Sequence, residues 1–338
     1  MELDWKNLGF GYLKTNYNVR TNFKNGQWSK LEVTDSEYLN IHMASTCLHY
    51  GQEAFEGLKA YRGKDGKIRI FRWNENAKRM QSSARGIKMA EVPSELFHEA
   101  VIKAVSLNKE FVPPYGTGAS LYVRPLLFGS GPEVGVKPAK EYTFIVFVTP
   151  VGPYFKEGFK PGNIMICRDF DRAAPMGTGN IKVGGNYAAS LLSLEKGHDL
   201  GYGTVLYLDS KERKYIDECG PANFFAIKGN TYITPESKSI LPSITNKSLQ
   251  ALAEDIGMKV EKRHIPVEEL SEFDEVGACG TAAVISPIGK IVDPEKNTIY
   301  SYCKDGKPGP VSTKLYNRLI NIQFGDEPDT FGWLEIVK

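Results

Sequence analysis

The chain has 338 residues, of which 41% are hydrophobic and 24% charged, and 42 Lys and Arg nearly balance 40 Asp and Glu. This balance, with no long basic run, argues against a nucleic-acid partner, and no apolar run reaches the length of a membrane span. The five cysteines form no Cys-x-x-Cys pair, so neither a metal site nor a disulfide framework is indicated. Since the N-terminus also lacks an apolar signal core, we expect a cytoplasmic protein.

The first half of the chain predicts strands and two helices. Strands are expected at 31–33, 67–71, 119–124 and 141–149, the last nearly continuously apolar, as in a strand covered on both faces. Asn74 is expected to cap a helix that continues to about Lys88, and Ser94 a second helix that ends near Phe111.

A Pro- and Gly-rich stretch at 150–162, one more strand at 163–167 and a Gly-rich region to 185 indicate a junction between two domains. We therefore expect an N-terminal domain at 1–152, an interdomain segment at 153–178 and a C-terminal domain at 179–338. In the C-terminal domain the pattern predicts a helix from Tyr187 to Lys196, strands at 204–208 and 222–227, and a helix from about Ser243 to Ile256. The class is mixed α/β in two parts.

Lys182 lies among glycines, with Val183 rather than Ser or Thr after it, so the Walker phosphate loop is absent. A lysine forms a Schiff base only as the free amine, so its pKa, ~10.4 in water, must be lowered by burial or nearby positive charge. The glycines would let the backbone approach a flat cofactor closely, and Tyr187 is spaced to offer its hydroxyl to the ring. On spacing alone, however, a surface lysine beside a flexible loop is the more common case.

Four other features, located before and after Lys182 in the sequence, suit a phosphorylated pyridine cofactor. Glu218 precedes a Gly-Pro turn, where its carboxylate would keep a pyridine nitrogen protonated. Ser243 is a helix cap that leaves the N–H groups of Ile244 and Thr245 at the positive end of the helix. Thr281 lies in a small-residue turn that would bind an anion, and Arg79 is a permanent cation. Each feature alone also has an ordinary structural explanation.

In their order along the chain, these segments resemble the fold-type IV pyridoxal-phosphate enzymes, and specifically the branched-chain amino-acid aminotransferases. The resemblance is carried by six segments, at 48–60, 120–125, 182–187, 218–225, 241–245 and 280–282. It implies an α/β (α+β) fold with a smaller N-terminal α/β domain and a larger C-terminal domain with a barrel-like core. It also implies a homodimer or a higher homo-oligomer.

By this resemblance, Lys182 binds pyridoxal 5′-phosphate covalently and serves as general base and acid. Glu218 pairs with the pyridine nitrogen, and Tyr187 meets the ring hydroxyl oxygen. The phosphate ligands implied by the family are Arg79, the amides of Ile244 and Thr245, and Thr281. The implied reaction exchanges an amino group between leucine, isoleucine or valine and 2-oxoglutarate by a ping-pong mechanism.

The family also implies a substrate pocket. Tyr50, Phe55 and Tyr122 would line the side-chain pocket, and Arg124 with Tyr122 would accept the distal carboxylate of glutamate. The substrate's own carboxylate would bind at the turn formed by Thr281, Ala282 and Ala283. An apolar wall with a polar rim lets one pocket take both kinds of substrate.

Several alternatives stay open at this stage: a D-amino-acid aminotransferase or an aminodeoxychorismate lyase of the same fold, and a non-catalytic phosphate-binding protein. The segments Tyr122–Arg124 and Phe55–Gly57 match the branched-chain group better. The chain departs from the family in having Ser243 where Gly is frequent and Asn246 where a basic residue is common. Ala283 and Ser286 replace the cysteines of the mammalian forms, so no thiol switch is expected there.

Overall fold

The computed structural model describes residues 3–153, 158–303 and 305–338. By backbone contacts these residues form two compact units. The first contains the described residues of Met1–Lys156, Ile181–Gly184 and Asn321–Lys338, and the second those of Glu157–Asn180 and Gly185–Ile320. The four-residue segment around Lys182 therefore packs with the first unit, although the chain on both sides of it belongs to the second.

The first unit is built on an antiparallel sheet of nine strands. They are β1 (Asn18–Lys24), β2 (Gln27–Trp28), β3 (Glu32–Thr34), β4 (Glu53–Phe55), β5 (Leu58–Arg62), β6 (Ile68–Phe71), β7 (Ser120–Gly129), β8 (Tyr142–Val151) and the C-terminal strand Leu334–Val337. The main path runs from the C-terminal strand through β6, β5, β7, β8 and β1 to β2, while β3 pairs with β1 and β4 with β7. The strands predicted at 31–33, 67–71, 119–124 and 141–149 are confirmed. Each begins and ends within one or two residues of its prediction, except that β7 continues to Gly129 instead of ending at residue 124.

Helices cover this sheet and bury a continuous apolar core. They are α1 (Thr46–Tyr50), α2 (Trp73–Gly86), α3 (Ser94–Ser106) and a 3₁₀ turn at Lys109–Phe111. The core contains Met80 of α2 and Phe97 of α3 against Leu121 and Phe144 of the sheet, all fully buried. Burial of such side chains contributes about 1.5–3 kcal/mol each.

The predicted caps of these two helices are wrong. Helix α2 begins at Trp73 after Arg72 in a left-handed conformation, and the side chain of Asn74 accepts instead from the N–H of Glu75. Helix α3 begins at Ser94 itself, because Pro93 has an extended backbone (φ −55°, ψ 143°) and holds the cap position, and no described side chain caps the helix. It ends at Ser106 rather than near Phe111, since the Asn108 side chain donates to the carbonyl of Ala104 (2.8 Å) and a 3₁₀ turn follows.

The second unit contains a closed barrel, which confirms the barrel-like core. Its sheet has nine strands, namely β9 (Gly162–Cys167), β10 (Thr204–Leu208), β11 (Ile216–Cys219), β12 (Ala222–Lys228), β13 (Thr231–Pro235), β14 (Lys259–Arg263), β15 (Glu275–Gly280), β16 (Val284–Asp293) and β17 (Thr298–Ser301). Six of them close a ring in the order β11, β10, β9, β16, β15, β12 and back to β11. Strand β9 is parallel to both of its neighbours, whereas the other pairings in the ring are antiparallel.

The remaining helices are α4 (Gly184–Ala188), α5 (Leu191–Asp199), α6 (Ile244–Asp255) and α7 (Pro310–Phe324), with a 3₁₀ segment at Val267–Glu272. The predicted continuous helix from Tyr187 to Lys196 is wrong, because it is interrupted between α4 and α5. There the Ser190 hydroxyl donates to the carbonyl of Tyr187 (2.8 Å), in competition with helical bonding. Helix α6 confirms the predicted one and its Ser243 cap. In the described ranges, no helix combines the length and apolarity needed to cross a bilayer.

Candidate active site

In the first unit, the backbone around Lys182 lies along strand β4. The N–H of Phe55 donates to the carbonyl of Lys182 (3.1 Å), and Ala54 and Val183 form an antiparallel bridge. The N–H of Lys182 donates to the hydroxyl of Ser83 on α2 (2.9 Å). Both backbone groups of the lysine are thus held by the scaffold, which fixes the origin of its side chain.

A further hydrogen bond, between Gly184 and Glu53, attaches the backbone next to Lys182 to strand β4. The N–H of Gly184 donates to Oε1 of Glu53, and a Cβ added to Gly184 would overlap this oxygen and lie 3.0 Å from Cδ. Burial raises the pKa of Glu53, while the Gly184 N–H and the charge of Arg124 oppose the rise. A side chain at position 184 would therefore displace the Glu53 carboxylate from this hydrogen bond, whereas the backbone of Gly184 does not have a positive φ.

The Lys182 amine and the Arg124 guanidinium both lie close to the aromatic ring of Phe55. Its Nζ is 4.6 Å from the centroid of Phe55, and the guanidinium carbon of Arg124 lies 4.8 Å from the same centroid. Arg124 Nη2 donates to the Tyr122 hydroxyl (3.1 Å). Arg124 Nε is buried and has no hydrogen-bond acceptor among the described residues. A buried cationic donor without an acceptor suits an anionic group of a substrate.

The hydroxyl end of the Tyr122 ring packs directly against Gly57. A Cβ added to Gly57 would overlap the Tyr122 hydroxyl and lie 2.9 Å from its Cζ, and the ring of Phe10 contacts Tyr122 edge-on at 5.4 Å. The structure thus brings Phe55, Tyr122, Arg124 and Lys182 together, as the predicted pocket requires. Tyr50, at the end of α1, lies at the surface, 41% exposed, with its hydroxyl donating to the Val134 carbonyl.

Arg79, the predicted phosphate ligand on α2, forms a two-pronged ion pair with Glu56. Its Nε and Nη2 lie 2.7 and 2.8 Å from the two carboxylate oxygens of Glu56, which is completely buried. Asn76 donates to the same carboxylate (2.7 Å). The pair fixes the orientation of the guanidinium, while its phosphate role stays a prediction.

In the second unit, Glu218 is a buried carboxylate with three partners. It is 2% exposed on β11. Its Oε1 pairs with Arg172 (2.8 Å) and accepts from the N–H of Leu241 (3.2 Å), and its Oε2 accepts from Asn223 (3.0 Å). Burial raises the pKa of Glu218 to about 7, although the positive charge of Arg172 and the two hydrogen bonds oppose the rise.

Glu218 lines a small cleft with Tyr187, so the structure brings these two predicted ligands together. The cleft is lined by Arg172, Asn186, Tyr187, Ser190, Glu218, Gly220, Pro221 and Leu241. A phenolic hydroxyl and a carboxylate on one cleft suit the hydroxyl and the nitrogen of a pyridine ring.

The start of α6 is the predicted phosphate-binding turn. Ser243 Oγ accepts from the N–H of Asn246 (3.2 Å), and the Ser243 carbonyl from that of Lys247 (3.1 Å). Helix geometry leaves the N–H groups of Ile244 and Thr245 without an intrahelical acceptor. This turn therefore has two amide donors at the positive end of the helix dipole.

The other predicted anion turn, residues 281–283, joins β15 to β16. Val284, which directly follows it, has a φ of +64°. For a β-branched residue this is a strained conformation that costs on the order of 1–3 kcal/mol. Such strain is commonly found at binding sites, and it agrees with a shaped turn at Thr281, Ala282 and Ala283.

Sequence reasoning missed several supporting residues. Arg172 donates to Glu218 and also to the carbonyls of Ser239 (2.7 Å) and Gly179 (3.2 Å), but nothing local marks it. Asn223 was within reach of prediction, because a two-residue Gly-Pro turn pairs Glu218 with Asn223 across the hairpin.

A family model described as "Amino-transferase class IV" matches residues 53–291, a range that includes Lys182, Glu218 and both anion turns. The chain belongs to this family. Within it, the chain is 49% identical to the branched-chain-amino-acid aminotransferase of Haemophilus influenzae, covering 100% of this chain and 99% of that protein. This similarity confirms the resemblance to the branched-chain group of the class IV aminotransferases.

Solved structures of branched-chain aminotransferases have the same fold. The Escherichia coli enzyme superposes with a TM-score of 0.79 at 28% identity, covering 96% of this chain and 100% of that one. The Thermobaculum terrenum enzyme, solved in its PLP-form, superposes with a TM-score of 0.78 at 24% identity, covering 96% and 99%. The fold-type IV prediction is thereby confirmed.

Proposed function

We propose that this protein transfers amino groups reversibly between L-leucine, L-isoleucine or L-valine and 2-oxoglutarate, with pyridoxal 5′-phosphate as cofactor. The observation that carries the proposal is Glu218, a buried carboxylate that faces a cleft with Tyr187. The names of the relatives reported above support the same substrates. They do not favour a D-amino-acid aminotransferase, an aminodeoxychorismate lyase or a non-catalytic phosphate-binding protein.

The residues present fit this cofactor. An acceptor such as Glu218 suits a protonated ring nitrogen, and the amides of Ile244 and Thr245 suit a phosphate. We assign the remaining phosphate contacts to Arg79 and Thr281. Lys182 is the amine that would hold the cofactor covalently.

Pyridoxal 5′-phosphate, when bound, supplies a ring that withdraws electrons from the substrate's Cα. Lys182 Nζ would take the proton from the substrate's Cα as general base and, as general acid, deliver a proton to C4′ of the cofactor, on the other side of the amino nitrogen. Glu218 holds the proton of the ring nitrogen through its carboxylate. Tyr187 orients the ring through its hydroxyl.

Two substrate classes are accommodated by different parts of the pocket. Phe55 and the ring of Tyr122 provide the apolar wall for branched side chains, and the buried Nε of Arg124 donates to the distal carboxylate of 2-oxoglutarate. The substrate's own carboxylate binds the turn of Thr281, Ala282 and Ala283. Tyr50 lines the pocket of a neighbouring subunit.

A panel of amino donors with 2-oxoglutarate tests this function. Leucine, isoleucine and valine should react fastest, and Lys182→Ala should lose turnover while its apoprotein keeps the unfolding midpoint of the wild type. Full turnover by Lys182→Ala, or a preference for D-amino acids, would contradict the proposal.

The protein acts as a homodimer or a higher homo-oligomer. Met43, Leu48, Val134 and Val136 are 60–88% exposed. They lie on adjacent segments, because the N–H of Glu133 donates to the carbonyl of Ala44 (2.9 Å). An exposed apolar patch of this kind suits a second copy of the chain.

The cellular location we propose is the cytoplasm. All five cysteines lie in the described part of the chain, and all of them are free thiols. Unpaired thiols are typical of a reducing compartment.

A further inference from the structure

A chain of buried amides begins at the Glu218 carboxylate. Asn223 is 5% exposed, and its Nδ2 donates to Glu218 Oε2 (3.0 Å) and to the carbonyl of Leu241 (3.0 Å). An ionised carboxylate and a carbonyl can only accept, so both N–H groups of this amide must face them. The side-chain oxygen of Asn223 is therefore directed away from Glu218.

The next member of the chain is Asn246, in the first turn of α6. Its Nδ2 donates to the oxygen of Asn223 (3.1 Å) and to the hydroxyl of Thr234 (2.8 Å). Its oxygen accepts from the Tyr232 hydroxyl (2.9 Å) and from Gln250 Nε2 (3.1 Å). All four hydrogen-bonding positions of this amide, which is 5% exposed, are thus used.

The orientation of both amides follows from the negative charge of Glu218, which lies at one end of this series of hydrogen bonds. Because Glu218 accepts, Asn223 must present its oxygen to Asn246, and Asn246 must present its oxygen to Tyr232 and Gln250. One N–H of each amide therefore points toward the carboxylate, along the line from Asn246 through Asn223 to Glu218. Hydrogen bonds aligned in this way favour the ionised form of a buried acid.

We propose that Asn246 is a positioning residue for Glu218, acting through Asn223. It orients the carboxylate toward the cofactor's ring nitrogen and stabilises its ionised form against the cost of burial. Since Asn246 belongs to the same helical turn as Ile244 and Thr245, it also sets the distance between the carboxylate and the phosphate-binding amides. This inference rests on the proposed function for the identity of the cofactor.

Two substitutions separate this role from simple packing. Asn246→Asp keeps the size of the side chain but replaces the two N–H donors by acceptors, which repel the oxygen of Asn223. Asn246→Ala removes the link altogether. Asn108 is the matched control, because it is 0% exposed and its four positions are likewise used, by Asn16, Tyr17 and Ala104.

The measurement is the dissociation constant of pyridoxal 5′-phosphate for the apoprotein, followed by its absorbance, together with the unfolding midpoint of each apoprotein. Asn246→Ala should weaken binding about tenfold, and Asn246→Asp more, as expected for the loss of a hydrogen bond that supports a charged group. Asn108→Ala should lower the unfolding midpoint but leave the affinity within about twofold of the wild type.

A double-mutant cycle decides the mechanism. In a Glu218→Ala background, Asn246→Ala should change the affinity less than twofold, because the carboxylate that it positions is gone. An equal loss in both backgrounds, or wild-type affinity in both Asn246 variants, would overturn the inference. Lack of any cofactor binding by the wild type would overturn the proposed function itself and the inference with it, whereas intact binding with silent Asn246 variants overturns the inference alone.

Discussion

Gly57 controls the position of Tyr122, and so of the Arg124 guanidinium bound to it. Gly57→Ala should push the Tyr122 ring away, because the new methyl group would overlap its hydroxyl. Since Tyr122 and Arg124 are proposed to hold the distal carboxylate, we expect KM for 2-oxoglutarate to rise about tenfold, the usual cost of one charged hydrogen bond. Steady-state kinetics with leucine as donor would measure this.

The matched control for Gly57→Ala is Gly11→Ala. An added Cβ at Gly11 meets no described atom within 4 Å, so this variant should behave as the wild type. An unchanged KM in Gly57→Ala would mean that Tyr122 does not hold the carboxylate.

Lys59 on β5 is a buried cation of the first unit. Burial lowers its pKa to about 8, whereas an unfolded lysine has a pKa of ~10.4. The unfolded chain therefore binds more protons between about pH 8 and 10.4, so this group makes the folded state more stable as the pH rises through that range. Below about pH 8 the lysine is charged in both the folded and the unfolded chain, so its contribution to stability no longer changes with pH.

Replacement of Lys59 by Met should remove this pH dependence. The apoprotein of Lys59→Met should gain on the order of 1–3 kcal/mol over the wild type at about pH 7, and the gain should shrink toward about pH 10. Urea unfolding at several pH values measures the difference. A gain that does not depend on pH would show that the lysine charge is not responsible.

Among the secondary-structure elements, helix α6 has a first turn that both stabilises the helix through its cap and is proposed to bind the phosphate. Ser243 caps it, and the capped turn presents the amides of Ile244 and Thr245. Ser243→Ala should therefore cost the apoprotein about 1 kcal/mol in the free energy of unfolding, within the usual range for a lost cap. It should also weaken binding of pyridoxal 5′-phosphate, because the turn that holds the phosphate loses its anchor.

Ser94→Ala is the control for the cap, since Ser94 is the first residue of α3 and not its cap, and its hydroxyl accepts only a long hydrogen bond from Gln81 Nε2 (3.3 Å) among the described residues. Its stability should change by no more than about 0.5 kcal/mol. If Ser243→Ala and Ser94→Ala were equally stable and bound the cofactor equally, the cap would have no part in the phosphate site.

At the scale of the whole molecule, the exposed patch of the first unit predicts how the chain associates. Val134→Lys combined with Val136→Lys should weaken self-association, because two charges would have to be buried in the proposed apolar contact. Light scattering should then report a lower mass than for the wild type. Ile299→Lys, at a 62% exposed position of the second unit, should keep the wild-type mass.

A monomeric wild type would contradict the proposed assembly directly. A double-lysine variant that keeps the mass of the wild type would instead move the interface away from this patch.

Patterns along the sequence were enough to establish the class of the fold and most strands, and they predict the residues of the proposed chemistry. Alternation predicted β6, a nearly continuous apolar run predicted β8, and the Ser243 cap predicted the start of α6. The order of Lys182, Glu218, Ser243 and Thr281 was specific enough to indicate the family. The two-residue turn at Gly220 and Pro221 also made the pairing of Glu218 with Asn223 across the hairpin predictable from the sequence.

Which distant groups support these residues is visible only in the folded structure. Sequence spacing carries no sign that Arg172 pairs with Glu218, that Ser83 holds the backbone of Lys182, or that Asn246 connects to Asn223. The caps expected at Asn74 and Ser94 were wrong because both residues lie inside their helices, whose cap positions are held by the non-helical backbone of Arg72 and Pro93. Hydrogen bonds of this kind join residues far apart in the chain, and their partners are selected by packing of the whole fold rather than by local propensity.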